Sequence, residues 1–99
     1  MSTSPDFVEY VLDKLDRNPR FYAKSMFGEY CLYADGRPVA FICDDTLFVK
    51  VLPASIALEN ICDKDSPYPK AKLYYVVTEE QLDSLRQLSN ILFEISMSI

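Results

Sequence analysis

The chain is notable first for residue types that it lacks or uses sparingly. Its 99 residues include no histidine and only two glycines. Without histidine, the chain has no imidazole for a Ser-His or Cys-His pair or for a metal site. The two glycines, Gly28 and Gly36, are spaced too far apart to form a Walker-type or dinucleotide-binding phosphate loop. These absences argue against most familiar enzyme classes. We expect no catalytic activity, no cofactor and no metal ion.

Cysteines and long apolar runs are also scarce. The three cysteines are odd in number and irregularly spaced, which does not suit a disulfide framework. No apolar run approaches the ~20 residues that span a bilayer. The N-terminal stretch "MSTSP" lacks the basic and apolar regions of a signal peptide. We therefore expect a cytoplasmic protein with reduced thiols.

Positive charge is the third shortage, because the net charge is −5 and the ten Lys and Arg residues are dispersed. Tight binding to nucleic acid requires clustered basic side chains that displace counterions from phosphates. We therefore expect no strong binding of duplex DNA. A nucleic-acid-binding accessory protein remains an alternative, and it would require one shared face for Arg17, Arg20, Lys24, Lys70 and Lys72.

The first predicted element is a helix. Ser4 is a typical N-cap and Pro5 a typical first helical residue. Apolar residues follow at helical spacing as far as Leu15. We expect Asn18 to end the helix, because a residue that precedes proline avoids the α conformation. The next segment, residues 21–26, is ambiguous between a helical turn and an approach to a sheet.

The central part of the chain predicts three strands, at residues 29–34, 39–43 and 47–51. Asp35 and Gly36 form a strong hairpin signal, because glycine adopts the positive φ that such turns require. Gly28 is expected at a tight bend or bulge before the first of these strands. Asp44 and Asp45 are interpreted as a polar turn rather than as a pair for acid–base chemistry.

The remaining residues predict a short helix at 53–61, a loop, a strand at 73–77 and a final helix. Thr78 and Gln81 have the spacing of a capping box at the start of that last helix. This order of elements predicts a single α+β domain over residues 1–99. Its helices would pack on one face of a mainly antiparallel sheet.

The alternation of side chains along the strands predicts which residues lie on the open face of the sheet. Placing Lys50 in solvent puts Phe48 beside it and turns Leu47, Val49 and Val51 toward the helices. The same reasoning turns Tyr30 and Leu32 inward. One of Tyr74 and Tyr75 must be exposed, and we assign Tyr75. The candidate protein-interaction face therefore comprises Cys31, Tyr33, Phe48, Lys50 and Tyr75.

Contiguous apolar patches on an uncovered face usually mark an interface, so we expect this face to bind protein. Either a second copy of the chain, giving a homodimer, or a different protein could be the partner. Cys31 and Cys43 lie on neighbouring predicted strands and suggest a minor enzyme or thiol sensor as a third hypothesis. Buried thiols that behave as small apolar groups are the expected state, because nothing nearby in sequence would lower a thiol pKa.

Three motifs in order, "MFGEYCLYADGR", "DDTLFVK" and "YYVVTEE", resemble the N-terminal domain of the TfoX/Sxy family. That family comprises bacterial regulators linked to natural competence. Glu29 and Thr78 depart from the glycine and proline that are usual in the family. The resemblance implies an α-β3-α-β2-α order like that of secretion-chaperone domains, with a fifth strand within residues 63–72, near Tyr68. It also implies a regulatory or adaptor role without enzymatic activity. Long members of the family add a C-terminal helical domain, and we expect none here because the chain stops before one could begin.

Overall fold

The computed structural model describes residues 3–99, which form a six-stranded antiparallel sheet with helices packed on one face. This arrangement confirms the predicted two-layer α+β class. The strands lie in the order β1-β2-β3-β4-β6-β5. In chain order the elements are α1 (Pro5–Lys14), β1 (Phe21–Met26), β2 (Glu29–Ala34), β3 (Arg37–Cys43), β4 (Thr46–Lys50), a 3₁₀ helix (Pro53–Leu58), β5 (Lys64–Asp65), β6 (Tyr74–Val77), α2 (Glu79–Ser84) and α3 (Leu88–Met97).

Strand β1 accounts for the difference between this sheet and the five strands that the family resemblance implied. The ambiguous segment pairs with β2 along its whole length, from Phe21 opposite Ala34 to Met26 opposite Glu29. Gly28 lies in the hairpin turn between β1 and β2, with φ of 84°, which is the tight bend expected immediately before residues 29–34. The alternation of apolar and polar residues in this segment is weak, so periodicity alone did not identify a strand.

The other two hairpin turns agree with the sequence interpretation. Asp35 and Gly36 both have positive φ, at 52° and 81°, between β2 and β3. Asp44 and Asp45 form the turn between β3 and β4, with φ of 52° and 55°. The Asp45 carboxylate accepts a hydrogen bond from the Ser4 backbone N–H at 2.9 Å and so fixes the start of α1 to this turn. The polar-turn prediction is confirmed.

Helix α1 begins where predicted and ends earlier. The Phe7 backbone N–H donates to Ser4 Oγ at 3.2 Å, as expected of an N-cap. The helix ends at Lys14 rather than at Asn18, because Asp16 and Arg17 adopt left-handed φ angles of 60° and 52°. Asn18 and Pro19 therefore lie near the end of the loop between α1 and β1 and do not mark the end of the helix.

The predicted final helix is divided into two helices. Its capping box is present, since the Thr78 N–H donates to Gln81 Oε1 at 2.9 Å and the Gln81 N–H to Thr78 Oγ1 at 3.2 Å. The helix stops at Ser84, because Leu85 has an extended ψ of 87°. The change of direction lets α2 pack beside α1 while α3 crosses β2 and β3.

The segment between β4 and β6 also differs in detail from the prediction. Its helix is a 3₁₀ helix, Pro53–Leu58, anchored by the buried Ser55 hydroxyl, which donates to the Lys50 carbonyl at 2.6 Å. A further strand is present between residues 63 and 72, as the resemblance implied. It is the two-residue β5 (Lys64–Asp65), whereas Tyr68 lies in the loop that follows.

The main core lies between the sheet and the helices. Leu47 and Val49 are fully buried there with Leu32, beneath Leu92 and Ile95 of α3. The inward orientation predicted for these strand residues is confirmed. The prediction was wrong for Val51, which is 39% exposed because β4 ends at Lys50 and the strand alternation no longer applies.

Candidate functional site

The open face of the sheet carries aromatic rings, thiols and lysines, in contrast to the aliphatic helix-covered face. The register aligns Cys31, Phe41, Phe48 and Val76 in one row across β2, β3, β4 and β6. Lys24 of β1 lies opposite Cys31 and extends this row. On either side of the row, the alternation of the strands places further members of the face. These are Tyr22 and Met26 on β1, Tyr33 on β2, Cys43 on β3, Lys50 on β4 and Tyr74 on β6.

Four of the five residues assigned to the candidate protein-interaction face have the orientation expected of them. Cys31, Tyr33, Phe48 and Lys50 lie on the open face. Tyr75 does not, because it pairs with the inward-facing Val49 and is only 1% exposed within the main core. Its hydroxyl donates to Glu59 Oε2 at 3.0 Å on that side. Tyr74, opposite Lys50, takes the place that was assigned to Tyr75.

The loop of residues 66–73 covers the β4–β6 half of the open face. Phe48 is only 8% exposed and forms a second buried cluster with Cys43 and Tyr74. The Tyr68 ring packs edge-on against Phe41, with 6.1 Å between ring centroids. The loop closes on itself, since the Ser66 hydroxyl donates to the Ala71 carbonyl at 2.8 Å. Phe48 is therefore an interior residue and not the accessible contact that its outward orientation suggested.

The β1–β3 half of the open face remains accessible and contains an apolar depression, which we call the hairpin groove. The groove has a volume of about 450 Å³ and lies between the β1–β2 hairpin and the loop that covers Phe48. Its floor and walls are mainly apolar and aromatic, which is the usual chemistry of a binding site. Its lining comprises Met26, Phe27, Glu29, Phe41, Cys43, Pro67 and Tyr68.

Phe27 is the most unusual residue at the groove. It is 99% exposed, and it holds a left-handed φ of 53° at the first turn position of the β1–β2 hairpin. Bulky residues rarely adopt this conformation, and two-residue hairpins prefer Asn, Asp or Gly there. The Phe27 ring therefore contributes nothing to the core, and its turn position carries backbone strain. If β1 had been predicted as a strand, the position of Phe27 next to Gly28 would have identified it as a residue of the hairpin turn.

A stacked pair of tyrosines lies on the open face at the end of β1 and β2 that is away from the hairpin turn. The rings of Tyr22 and Tyr33 are parallel within 1°, with centroids 5.1 Å apart. The ammonium of Lys24 lies 5.9 Å and 5.4 Å from the two ring centroids. Lys50, farther along the face, has its pKa lowered by burial and by the nearby charge of Lys72. Lysines and aromatic rings therefore lie side by side on this face.

The cysteines have the environment of packed apolar groups. All three, Cys31, Cys43 and Cys62, are free and buried, as expected. Burial raises the pKa of the Cys43 thiol to about 11 and also raises that of Cys31. A raised pKa leaves little thiolate at neutral pH, so neither thiol has the environment of a reactive cysteine. In the part of the chain that the structure describes, no group of acidic or thiol side chains has an arrangement suited to a metal ion.

The basic residues considered for nucleic acid do not share one face. Arg17 pairs with Glu9 on α1. The Arg20 guanidinium lies 3.8 Å from the ring centroid of Phe93, which belongs to α3 on the helix-covered side. Lys24, by contrast, lies on the open face. Within residues 3–99, no helix has the length and apolar character needed to cross a membrane.

Comparison with known proteins gives two matches. A family model described as the TfoX N-terminal domain matches residues 13–94, from the end of α1 to within α3. A protein of Spirochaeta aurantia, named as an uncharacterized 12.7 kDa protein in the trpE 5′ region, is 33% identical over 79 residues. The aligned part covers 80% of this chain and 69% of the Spirochaeta protein. The matched family agrees with the one that the sequence motifs resemble.

Proposed function

We propose that this chain, which belongs to the TfoX N-terminal domain family, is a small non-enzymatic regulatory or adaptor module of the cytoplasm. It acts by binding another protein, and competence regulation is the process that the family resemblance suggests. The observation that carries the proposal is Phe27, fully exposed in a strained turn beside an apolar groove. Exposed aromatic residues next to a depression are typical anchors of protein interfaces.

The groove suits an apolar segment of a partner better than it suits a reacting substrate. Its walls offer Met26, Phe41 and Tyr68 as contact surface. The one carboxylate in the lining, that of Glu29, already accepts hydrogen bonds from the Thr3 hydroxyl at 2.6 Å and the Asp44 N–H at 3.2 Å. A carboxylate held in this way serves to brace the turn between β3 and β4. General acid–base chemistry would instead need a carboxylate free to reach a substrate.

Site-specific photo-crosslinking in the source cells tests the proposal. A photoreactive phenylalanine analogue at position 27 should give a discrete adduct with a protein. The same analogue at the exposed Ile56, on the 3₁₀ helix, serves as the matched control and should give none. Phe27→Asn, which keeps a residue suited to the turn, should abolish co-purification of the crosslinked partner.

Three results would contradict the proposal. Equal adducts at positions 27 and 56 would show that the contact is not specific to the groove. The absence of any adduct at position 27 would show that the groove is not an interface. An adduct that nuclease treatment removes would favour the alternative of a nucleic-acid-binding accessory protein.

A further inference from the structure

Strand β1 leaves one edge of the sheet unpaired. Among residues 3–99, β1 pairs with β2 on one side and with no strand on the other. It is six residues long, whereas β5 at the opposite edge has only two. Long edge strands are templates for pairing with another chain unless charged side chains, proline, a bulge or a covering segment protects them. β1 contains no proline, and its pairing with β2 shows no register shift. Its one charged residue, Lys24, lies beside the rings of Tyr22 and Tyr33 on the open face.

The direction of the backbone groups along β1 follows from its pairing with β2. The Asp35 N–H donates to the Arg20 carbonyl at 3.0 Å, so the backbone groups of even-numbered residues in this strand face β2. Those of Ala23 and Ser25 face outward. No turn or loop within the described residues forms a backbone hydrogen bond with either of them. The edge therefore offers two N–H groups and two carbonyls at the spacing of an antiparallel ladder.

We propose that β1 pairs antiparallel with β1 of a second copy, across a two-fold axis at Ala23, so that one continuous sheet runs through a homodimer. In this register Ala23 lies opposite the partner's Ala23, with their outward N–H and carbonyl groups paired. Tyr22 then lies opposite the partner's Lys24, and Lys24 opposite the partner's Tyr22. This inference concerns the edge of the sheet and does not rest on the proposed role of the hairpin groove.

Avoidance of like charges favours this register over one centred on Lys24. A two-fold axis at Lys24 would place two ammonium groups directly opposite each other, which is destabilising. The axis at Ala23 instead sets each ammonium against a tyrosine ring, in the kind of contact that Lys24 already makes within its own chain. On the helix-covered side, Ala23 lies opposite the partner's Ala23, and Ser25 lies opposite the partner's Phe21, whose ring is buried in its own core.

The self-complementary pattern favours a second copy over an unrelated strand. In a two-fold interface, the same patch of each copy contacts the other copy. The Tyr22–Ala23–Lys24 segment suits this arrangement, because an antiparallel second copy places its Lys24 opposite Tyr22 and its Tyr22 opposite Lys24. Tyr22 and Met26 are exposed on the same strand and would lose solvent contact on pairing. The open faces of both copies would then lie on the same side of the joined sheet, with both hairpin grooves accessible.

Sedimentation equilibrium of the full chain over a wide concentration range tests the pairing. The wild type should show a monomer–dimer equilibrium, and Ala23→Pro should weaken it at least about tenfold, because proline removes an outward N–H. Proline is tolerated at such positions of edge strands, and circular dichroism verifies the fold. Ala23→Val keeps the N–H and should dimerise like the wild type. Lys24→Glu, on an exposed residue, should also weaken the dimer.

Amide hydrogen exchange tests the same register without any mutation. The amides of Tyr22 and Lys24 should be protected at every concentration, since they bond to β2. Those of Ala23 and Ser25 should gain protection only as the concentration rises. A wild type that stays monomeric at several hundred micromolar would overturn the inference, as would a dimer in which these two amides exchange as fast as in dilute monomer. Phe27→Asn should leave the dimer intact, which separates this test from that of the groove.

Discussion

The two faces of the sheet use their apolar side chains for different ends. The helix-covered face is lined by aliphatic side chains such as Leu32, Ile42 and Val49, all fully buried. The open face bears aromatic rings, thiols and lysines, and only the half under the 66–73 loop is sealed. Packing of the first face holds the fold together. The accessible half of the second has apolar surface that does not pack within the fold, and this is where we propose that a partner binds.

The largest effect is expected from a charge at Phe48, which tests whether this half of the open face is buried. Phe48→Glu should reduce the free energy of unfolding by about 4 kcal/mol or more, because it removes a buried ring and leaves a carboxylate in an apolar cluster. Urea denaturation measures the change. Phe48→Leu, which keeps an apolar side chain, should cost less than about 2 kcal/mol. A stable Phe48→Glu protein would show that the 66–73 loop lifts easily and that this half of the face is open.

The second prediction compares the two faces directly. Leu92→Ala, beneath α3, should reduce the free energy of unfolding by about 3 kcal/mol, because a fully buried leucine leaves a cavity. Met26→Ala at the exposed rim of the groove should change it by no more than about 0.5 kcal/mol. Denaturant titrations of both variants provide the measurement. Equal losses would mean that the groove rim belongs to the stabilising core.

A smaller effect is expected in the β2–β3 turn. Gly36 has φ of 81°, and a Cβ added there would meet no atom within 4 Å. The cost of Gly36→Val is therefore backbone strain alone, and we expect it to exceed ~1 kcal/mol. Gly36→Asn should cost only a few tenths of a kcal/mol, because asparagine tolerates the left-handed conformation. Thermal melting of both variants distinguishes the two, and equal melting temperatures would rule out strain as the cause.

Phe27 should respond in the opposite direction from Gly36. Phe27→Asn should stabilise the fold by about 0.5 kcal/mol, because it relieves the strained turn position and places Asn-Gly in a two-residue hairpin. The same change should weaken partner binding, which separates stability from function at one residue. The melting temperature and the crosslinking yield provide the two measurements. A destabilised variant would mean that the Phe27 ring supports the hairpin after all.

The smallest expected effect is pH-dependent and belongs to the helix-covered side. Hydrogen bonds from Lys64 and Tyr75 hold the pKa of Glu59 below its ordinary value. A lowered folded-state pKa contributes stability above the unfolded-state pKa, and the contribution is lost as the pH falls through the folded-state value. Glu59→Gln should therefore melt below the wild type at neutral pH, and the difference should vanish under acid conditions. An unchanging difference would assign the effect to packing.

Local signals in the sequence predicted much of the fold. The Ser4 cap, the Asp35-Gly36 turn and the Thr78–Gln81 capping box each depend on neighbours within a few residues, and each is present. Alternation along β4 was predicted correctly, because burial on one face of a strand leaves a period of two. The same reasoning could not choose between Tyr74 and Tyr75, because their orientation depends on the register with β4.

The candidate site was only partly predictable. Cys31, Tyr33 and Lys50 were placed on the open face from strand alternation alone. The groove could not be predicted, because its walls come from Met26 and Tyr68, which are far apart in the chain. The turn position of Phe27 could not be predicted, for a related reason. Its turn is recognisable only when 21–26 is known to be a strand, and that strand depends on pairing with β2 more than on its own pattern.

What the sequence determined by itself was the α+β class, the β2–β3 and β3–β4 turns, the caps at Ser4 and Thr78 and the family, because each follows from short-range preferences or from residue identity. What the tertiary structure alone decided was the sixth strand, the break between α2 and α3 and the covering of Phe48 by the 66–73 loop. The unpaired edge of β1 belongs to this second group. These features depend on which distant segments come into contact, and they satisfy the packing of the whole chain rather than the preferences of any one segment.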